Sequence, residues 1–407
     1  MIFVKDNNLK FLFPAVTISA VGDWVFQVSI LLYIYNSTKS GLMVSLFILS
    51  SALPSLLFSP FIVRFLTGIN NKTAMIYGDI LRAILILCML LSLQSIYYIF
   101  LINMLIGIVS TAFRTSYIKK VTQLYDINTR SKINAVLNSG SFIAMGLGSV
   151  IGAFLLNLFS IETALIFNAI SYIGSCLFLI GINSDSALFH DKIKKKVTIN
   201  EMIYKLFYEI KQSPILSSII ILGLSWGVVG GALNVLLPVI FMSDEAGGRL
   251  LSTFYIVQAV SMLAGCIIVY NIKFDGEKRF AFILFIIAYF FQAILFSAAL
   301  FINNIYLIFI FIFLMRLCGG IIIPLDTTLI QNNSSETNLP LVYNIHSLSY
   351  TSFYQISVLV VGLMIDTFDI DRTKNIIGLT SLIVISIICL ISCMFMMRKV
   401  TSNSEVV

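Results

Sequence analysis

The sequence predicts an all-α integral membrane protein of about twelve transmembrane helices, arranged as two pseudo-symmetric six-helix bundles. Three observations carry this expectation. Charged residues make up 11% of the 407 and hydrophobic residues 59%, with a mean hydropathy of +0.99. A soluble domain carries about 25% charged residues, so this chain lacks the polar surface to face water. The apolar residues come in runs of roughly 20 or more, the length a helix needs to cross a hydrocarbon core, and a polar stretch near the middle divides them six and six.

The runs lie at about 11–36, 41–66, 73–93, 95–118, 133–158, 162–183, 215–243, 250–271, 279–301, 305–331, 339–366 and 374–397. They are too long for barrel strands and do not alternate. Helices remain, because a lipid-exposed backbone must satisfy its own hydrogen bonds. Lys5 and Lys10 precede the first run as in a signal peptide. However, the run continues well past the ~15 apolar residues of a signal segment, and no small-residue cleavage site follows, so it reads as a retained first span. Between spans six and seven, NSDSALFHDKIKKKVTINEMIYKLFYEIKQSP is polar, and MIYKLFYEIKQ within it could form a short amphipathic helix on the membrane surface. The expected organisation is an N-terminal bundle at 1–183, a cytoplasmic central loop at 184–214, and a C-terminal bundle with a short cytoplasmic tail at 215–407.

Basic residues set the expected orientation. Of the 26 Lys and Arg, four (Lys39, Arg249, Arg372 and Lys374) fall on one side of the alternating loops, and Arg82 and Arg316 fall within spans. The rest lie on the other side, so both termini and the central loop are expected in the cytoplasm and the protein in the cytoplasmic (inner) membrane. The composition, rich in Ile, Asn and Lys, fits a bacterium. The net charge of +7 thus reflects topology rather than a nucleic-acid face, and no nucleic-acid partner is expected. All six cysteines sit in apolar runs without metal-ligand spacing and read as buried packing residues.

A weak internal repeat accompanies the six-plus-six count. GIVSTAFRTSY from Gly107 aligns with GGIIIPLDTTL from Gly319, which matches Arg114 to Asp326 and span four to span ten. Such halves are related by an axis along the membrane normal.

Ionisable and polar residues inside spans are the candidate functional groups, because a charge at mid-bilayer costs roughly 2.5–3.5 kcal/mol unless it faces a cavity or a partner. Ser19, Asp23 and Gln27 form one stripe of span one. An acid there can carry a proton coupled to cargo movement; the alternative is a structural hydrogen bond to a neighbouring helix. Span four presents Asn103, Gly107, Ser110, Arg114 and Tyr117 on one face, with Arg114 facing either a cavity or, by snorkelling, the interface. Arg316 and Asp326 on span ten are further cavity or gating candidates. Arg316 is a candidate contact for Asp23 or for an anionic part of the cargo, and Arg114 with Asp326 for a cytoplasmic gate. On span eleven Tyr343, Ser347, Tyr350, Tyr354 and Ser357 share a face that suits amphipathic cargo or helix packing. Gly223, Gly227, Gly230 and Asn234 on span seven read first as a close-packing stripe, with Asn234 also a cavity candidate. Asp79 and Arg82, three residues apart at the start of span three, are expected to form a local ion pair anchoring the adjacent loop.

No phosphate-binding GxxxxGK[ST] loop, HExxH, paired CxxC or GxSxG elbow is present, and neither His190 nor His346 has a ligand cluster in sequence. Enzyme chemistry, metals and cofactors are therefore not expected. A membrane enzyme acting on lipid would need a nucleophile–base pair that the spacings do not supply.

The chain resembles the major facilitator superfamily, and within it the macrolide-efflux and enterobactin-exporter group. GDWVFQVSILLYIYNSTKSGLMVSLFILSSALP is similar to that group's first two helices, MIYGDILRA to its third-helix start, FNAISY to its sixth-helix signature and NVLLPVIFM to its seventh. Two superfamily motifs are altered. In SPFIVRF, Ser59 and Val63 replace the Gly and Asp of the loop between helices two and three, while Arg64 and Lys72 remain. In GLGSVIGA, Gly148 and Gly152 of the helix-five exporter motif are kept, but Ser149 stands for Pro and Ala153 for Gly. The resemblance implies a monomeric, proton-coupled secondary exporter of an amphipathic small molecule (a drug, peptide antibiotic or siderophore), working by alternating access. An importer of a small metabolite, or a non-transporting membrane sensor built on a transporter fold, are the alternatives.

Overall fold

The computed structural model describes residues 6–66, 69–125, 127–182, 210, 213–244, 247–272, 278–334 and 339–404. These hold twelve long helices: α1 (Asn7–Thr38), α2 (Gly41–Phe65), α3 (Asn71–Leu91), α4 (Ile96–Leu124), α5 (Ile127–Leu158), α6 (Ile161–Ile180), α7 (Pro214–Met242), α8 (Gly247–Asn271), α9 (Lys278–Phe301), α10 (Ile305–Asn333), α11 (Leu339–Phe368) and α12 (Ile370–Ser404). Eleven are long and apolar enough to cross a membrane; in α2 the apolar stretch so described is Gly41–Pro54. The surface fits that solvent. Large apolar side chains such as Phe65, Leu177 and Leu390 are exposed, while Asp79 and Arg82 are buried, the reverse of a water-soluble domain. The amphipathic segment expected at 202–212 lies outside the described residues, apart from Ile210.

Several helices outrun their apolar runs. α4 continues to Leu124 and α5 begins at Ile127, because an apolar run marks the hydrocarbon layer whereas a helix ends at a cap. α1 starts at Asn7 because Asp6 caps it, accepting from Asn8 N at 2.9 Å and Leu9 N at 3.1 Å. It stops where Lys39 turns left-handed at φ 52°, and Ser40 Oγ then accepts from Met43 N at 3.1 Å to open α2.

The described residues form two compact units, one from those within 1–192 and 238–259 and one from those within 193–237 and 260–407. In the first, α1 packs along α5 and α6, α3 against α4 and α6, and α2 against α4. In the second, α9 packs along α10 and α12, α7 meets α11, and α8 meets α10. Four of these five pairings thus recur six helices apart. The expected division at 183 and 215 followed chain order. The packing units differ in that the ends of α7 and α8 nearest their connection group with the first unit, where Tyr255 of α8 lies 5.0 Å, ring to ring, from Trp24 of α1.

Small residues make these pairings possible, since close backbone approach is the main packing device in lipid. A methyl group added at Gly148 would lie 2.6 Å from the Val21 carbonyl oxygen, and one at Gly152 2.7 Å from that of Val25. Ser29 Oγ seals the same seam by donating to Gly152 O at 3.0 Å. Gly107 of α4 sits on the Ser51 carbonyl of α2, and Gly320 of α10 on the Met262 carbonyl of α8. The residue equivalent to Gly107 in seating is therefore Gly320, one position beyond the Gly319 that sequence alignment paired with it. Pro324 lacks the N–H that would bond Gly320 O, and Cys266 Sγ donates to that carbonyl at 3.4 Å instead.

Candidate functional site

The charged groups of the first unit converge on one point. Gly22 lets α1 come so close to α6 that an added methyl would lie 1.9 Å from Ser171 Oγ. That approach brings Asp23, the next residue, to Tyr172, whose hydroxyl donates to Asp23 Oδ1. From α3, Arg82 places Nη1 3.8 Å from Asp23 Oδ2, while its Nη2 engages Asp79 Oδ1 one turn back. Two rings cover the guanidinium: Phe113 of α4 lies 4.3 Å from Cζ and Tyr172 of α6 4.4 Å, both within cation–π range. Ser175 of α6 lies beside the Asp79 carboxylate.

Exposure separates the members of this cluster. Asp79, Arg82 and Tyr172 are 0%, 4% and 1% exposed, whereas the Asp23 side chain is 45% exposed. Burying an ion pair is costly unless geometry and hydrogen bonds offset the loss of water. Two carboxylates, one guanidinium, a phenol and two ring faces supply that compensation. The charge count matters most: the cluster is neutral with one proton aboard and carries one negative charge without it. Asp23 is the more exposed of the two carboxylates, and the Tyr172 hydroxyl and Arg82 are the groups beside it.

The ion pair expected between Asp79 and Arg82 is present. Its surroundings are Asp23, Tyr172 and Phe113, well inside α3, rather than the loop before it. The described cation beside Asp23 is Arg82, and Arg316 is half-buried on α10. Asp326 of α10 bonds to His346 of α11, Nε2 to Oδ2, at 3.0 Å; Arg114 is exposed on α4 next to Tyr117. Asn103 is 3% exposed and ties α4 to α2, donating to Phe47 O and Ser50 Oγ, each at 2.9 Å. Asn234 donates to Gly230 O of its own helix at 2.8 Å. Gln27 is half-buried one turn beyond Asp23, while Ser19 is buried and bonds to Val16 O at 3.2 Å. Tyr350 and Tyr354 stack with ring centroids 6.1 Å apart. The Arg64 and Tyr343 side chains lie outside the described residues.

Sequence reasoning missed Tyr172 and His346 as site residues. Asn168, Ser171, Tyr172 and Ser175 line one face of α6, and that polar stripe inside an apolar run was the available signal for the first. His346 had none, because its partner is 20 residues away on another helix. An apolar groove of about 680 Å³ on α2, α3 and α4 has no charged residue in its lining and includes Gly78 in its wall.

Comparison with known proteins follows the same lines. The sequence profile described as Major Facilitator Superfamily matches residues 12–271. An uncharacterized MFS-type transporter of Bacillus subtilis (strain 168), YfiS, is 24% identical over 190 residues, which is 46% of this chain and 45% of that protein; the match thus spans about half of the relative's length. Among solved structures, a POT family transporter in complex with a thioalcohol-conjugated peptide superposes with a TM-score of 0.75 at 11% identity, over 95% of this chain and 96% of that one. The nucleoside transporter NupG gives 0.68 at 14% identity, over 94% and 98%. A bacterial homolog of the human lysosomal transporter Spinster, inward-facing and unoccupied, gives 0.64 at 13% identity, over 96% of each.

Proposed function

This chain belongs to the major facilitator superfamily, and on that premise we propose that it is a proton-coupled secondary exporter of an amphipathic small molecule, such as a drug, a peptide antibiotic or a siderophore. As a member it is a multi-pass membrane transporter. The observation that carries the finer reading is the four-residue cluster of Asp23, Asp79, Arg82 and Tyr172, which is balanced by one proton and keeps one carboxylate accessible. A carboxylate that alternately binds a proton and faces its counter-ion is what couples a proton gradient to a conformational cycle. The stacked hydroxyl rings of Tyr350 and Tyr354 suit cargo with both apolar and polar parts, and Arg114, Arg316 and Asp326 are the charges available to shape or gate its path. The outward direction is supported by the likeness of GDWVFQVSILLYIY and FNAISY to efflux proteins. The excess of Lys and Arg on one side of the loops supports cytoplasmic termini in a bacterial cytoplasmic membrane. The protein acts as a monomer by alternating access.

A resistance and accumulation screen in cells with and without the protein tests this reading. Export lowers retention of the cargo and raises tolerance to it, and collapsing the proton gradient abolishes both. Greater retention in expressing cells would mean import of a metabolite, and no effect of any compound would favour a sensor.

A further inference from the structure

The C-terminal unit holds an ionisable pair that the proton cycle at Asp23 does not use. His346 Nε2 and Asp326 Oδ2 are 3.0 Å apart, with 11% and 19% of their side chains exposed. The other nitrogen, His346 Nδ1, and the other oxygen, Asp326 Oδ1, are buried with no hydrogen-bond partner among the described residues. Over the ring passes α7: a methyl group at Gly223 would lie 2.5 Å from His346 Cε1 and 3.0 Å from Nδ1. Weakly acidic groups lie near Asp326. Tyr289 of α9, 3% exposed, lies within electrostatic reach of Asp326, of Tyr350 on α11 and of Cys389 on α12.

We propose that His346 and Asp326 form a second proton-binding site, distinct from Asp23, whose charge state sets how α7 packs on α11. When the imidazole is neutral and its Nε2–H donates to Asp326, the pair carries one negative charge in a low-dielectric interior, and Nδ1 is a bare acceptor. One proton taken from solvent onto Nδ1 makes the imidazolium. The pair becomes neutral overall, and its hydrogen bond now joins a cation to an anion. That proton adds a donor on the side closed by Gly223, where Nδ1 has no acceptor among the described residues, so uptake requires α7 to shift from the ring or a water to enter. Imidazole is the side chain whose ordinary charge change falls between about pH 5 and 8, and Gly223 makes that change a packing event. The inference stands on residues of one unit and does not depend on the role of Asp23.

The chain has two histidines, so the test needs no cargo. The ¹⁵N-histidine NMR spectrum of the full-length protein in lipid nanodiscs is followed on acidification, with His190→Gln to assign the His346 signals. The expected result is a change of the His346 nitrogens from one neutral tautomer to imidazolium, with a midpoint that moves in Asp326→Asn and does not move in Asp23→Asn. Gly223→Ala, which crowds Nδ1, also moves it. A ring that keeps one tautomer throughout the range in which the protein stays folded would overturn the proposal and leave a structural hydrogen bond. So would a titration that ignores the Asp326 substitution. The His190→Gln spectrum decides the first point without any substitution in the bundle.

Discussion

Arg82 Nη1 lies 3.8 Å from the Asp23 carboxylate, while the same guanidinium is engaged by Asp79 on its own helix. One cation thus serves two acids on two helices. Any change in the distance between α1 and α3 redistributes its charge between them, and the following predictions rest on that geometry.

Arg82→Ala leaves Asp79 buried and uncompensated. Removing one member of a buried pair costs about 3–5 kcal/mol, so the variant should lose thermal stability in detergent and yield at the membrane. Asp79→Asn combined with Arg82→Gln removes both charges and should recover most of that stability without restoring proton-driven transport. Melting temperature by tryptophan fluorescence separates the two effects.

Tyr172→Phe removes the hydroxyl that donates to Asp23 but keeps the ring over Arg82. A hydrogen bond to a charged group contributes about 1.5–3 kcal/mol, so stability should fall within that range while the protein stays folded. The pH dependence of transport should move because Asp23 has lost a partner. Tyr172→Ala, which also removes the ring 4.4 Å from Cζ, should be less stable than Tyr172→Phe.

Gly22→Ala should be far more damaging than Gly146→Ala. The added methyl meets Ser171 Oγ at 1.9 Å in the first case and Ala259 Cβ at 3.4 Å, an ordinary contact, in the second. Overpacking of this kind costs about 1–3 kcal/mol and pushes α1 away from α6, so Gly22→Ala should lower transport as well as stability. Melting and transport measured on both variants at matched protein amounts check the contrast.

Much of the fold was legible because lipid imposes a simple rule. Twenty apolar residues mark a crossing, and the run after Lys10 became α1 with Asp23 inside it. Helix ends were less legible, since Leu124 and Ile127 belong to helices that continue past their apolar runs, where hydropathy is silent. Asp23 stood out as an acid in an apolar run, and the Asp79–Arg82 spacing gave their ion pair. Their meeting was not readable, because residues 23, 82 and 172 are joined by helix packing that no local period encodes. Polar spacing along span four also placed Asn103 with Arg114 on one face, yet Asn103 is spent on the carbonyl of Phe47 while Arg114 is exposed. A face read from one helix does not say which neighbour covers it.

The most direct test of the central claim is gradient-driven transport by Asp23→Asn in proteoliposomes, with a cargo taken from the accumulation screen and equal protein incorporated. Cargo binding should persist, and uptake driven by an imposed proton gradient should be lost, because the substituted side chain cannot give up a proton beside Arg82. Gradient-driven uptake that matches the unsubstituted protein would contradict the account and remove Asp23 from the coupling.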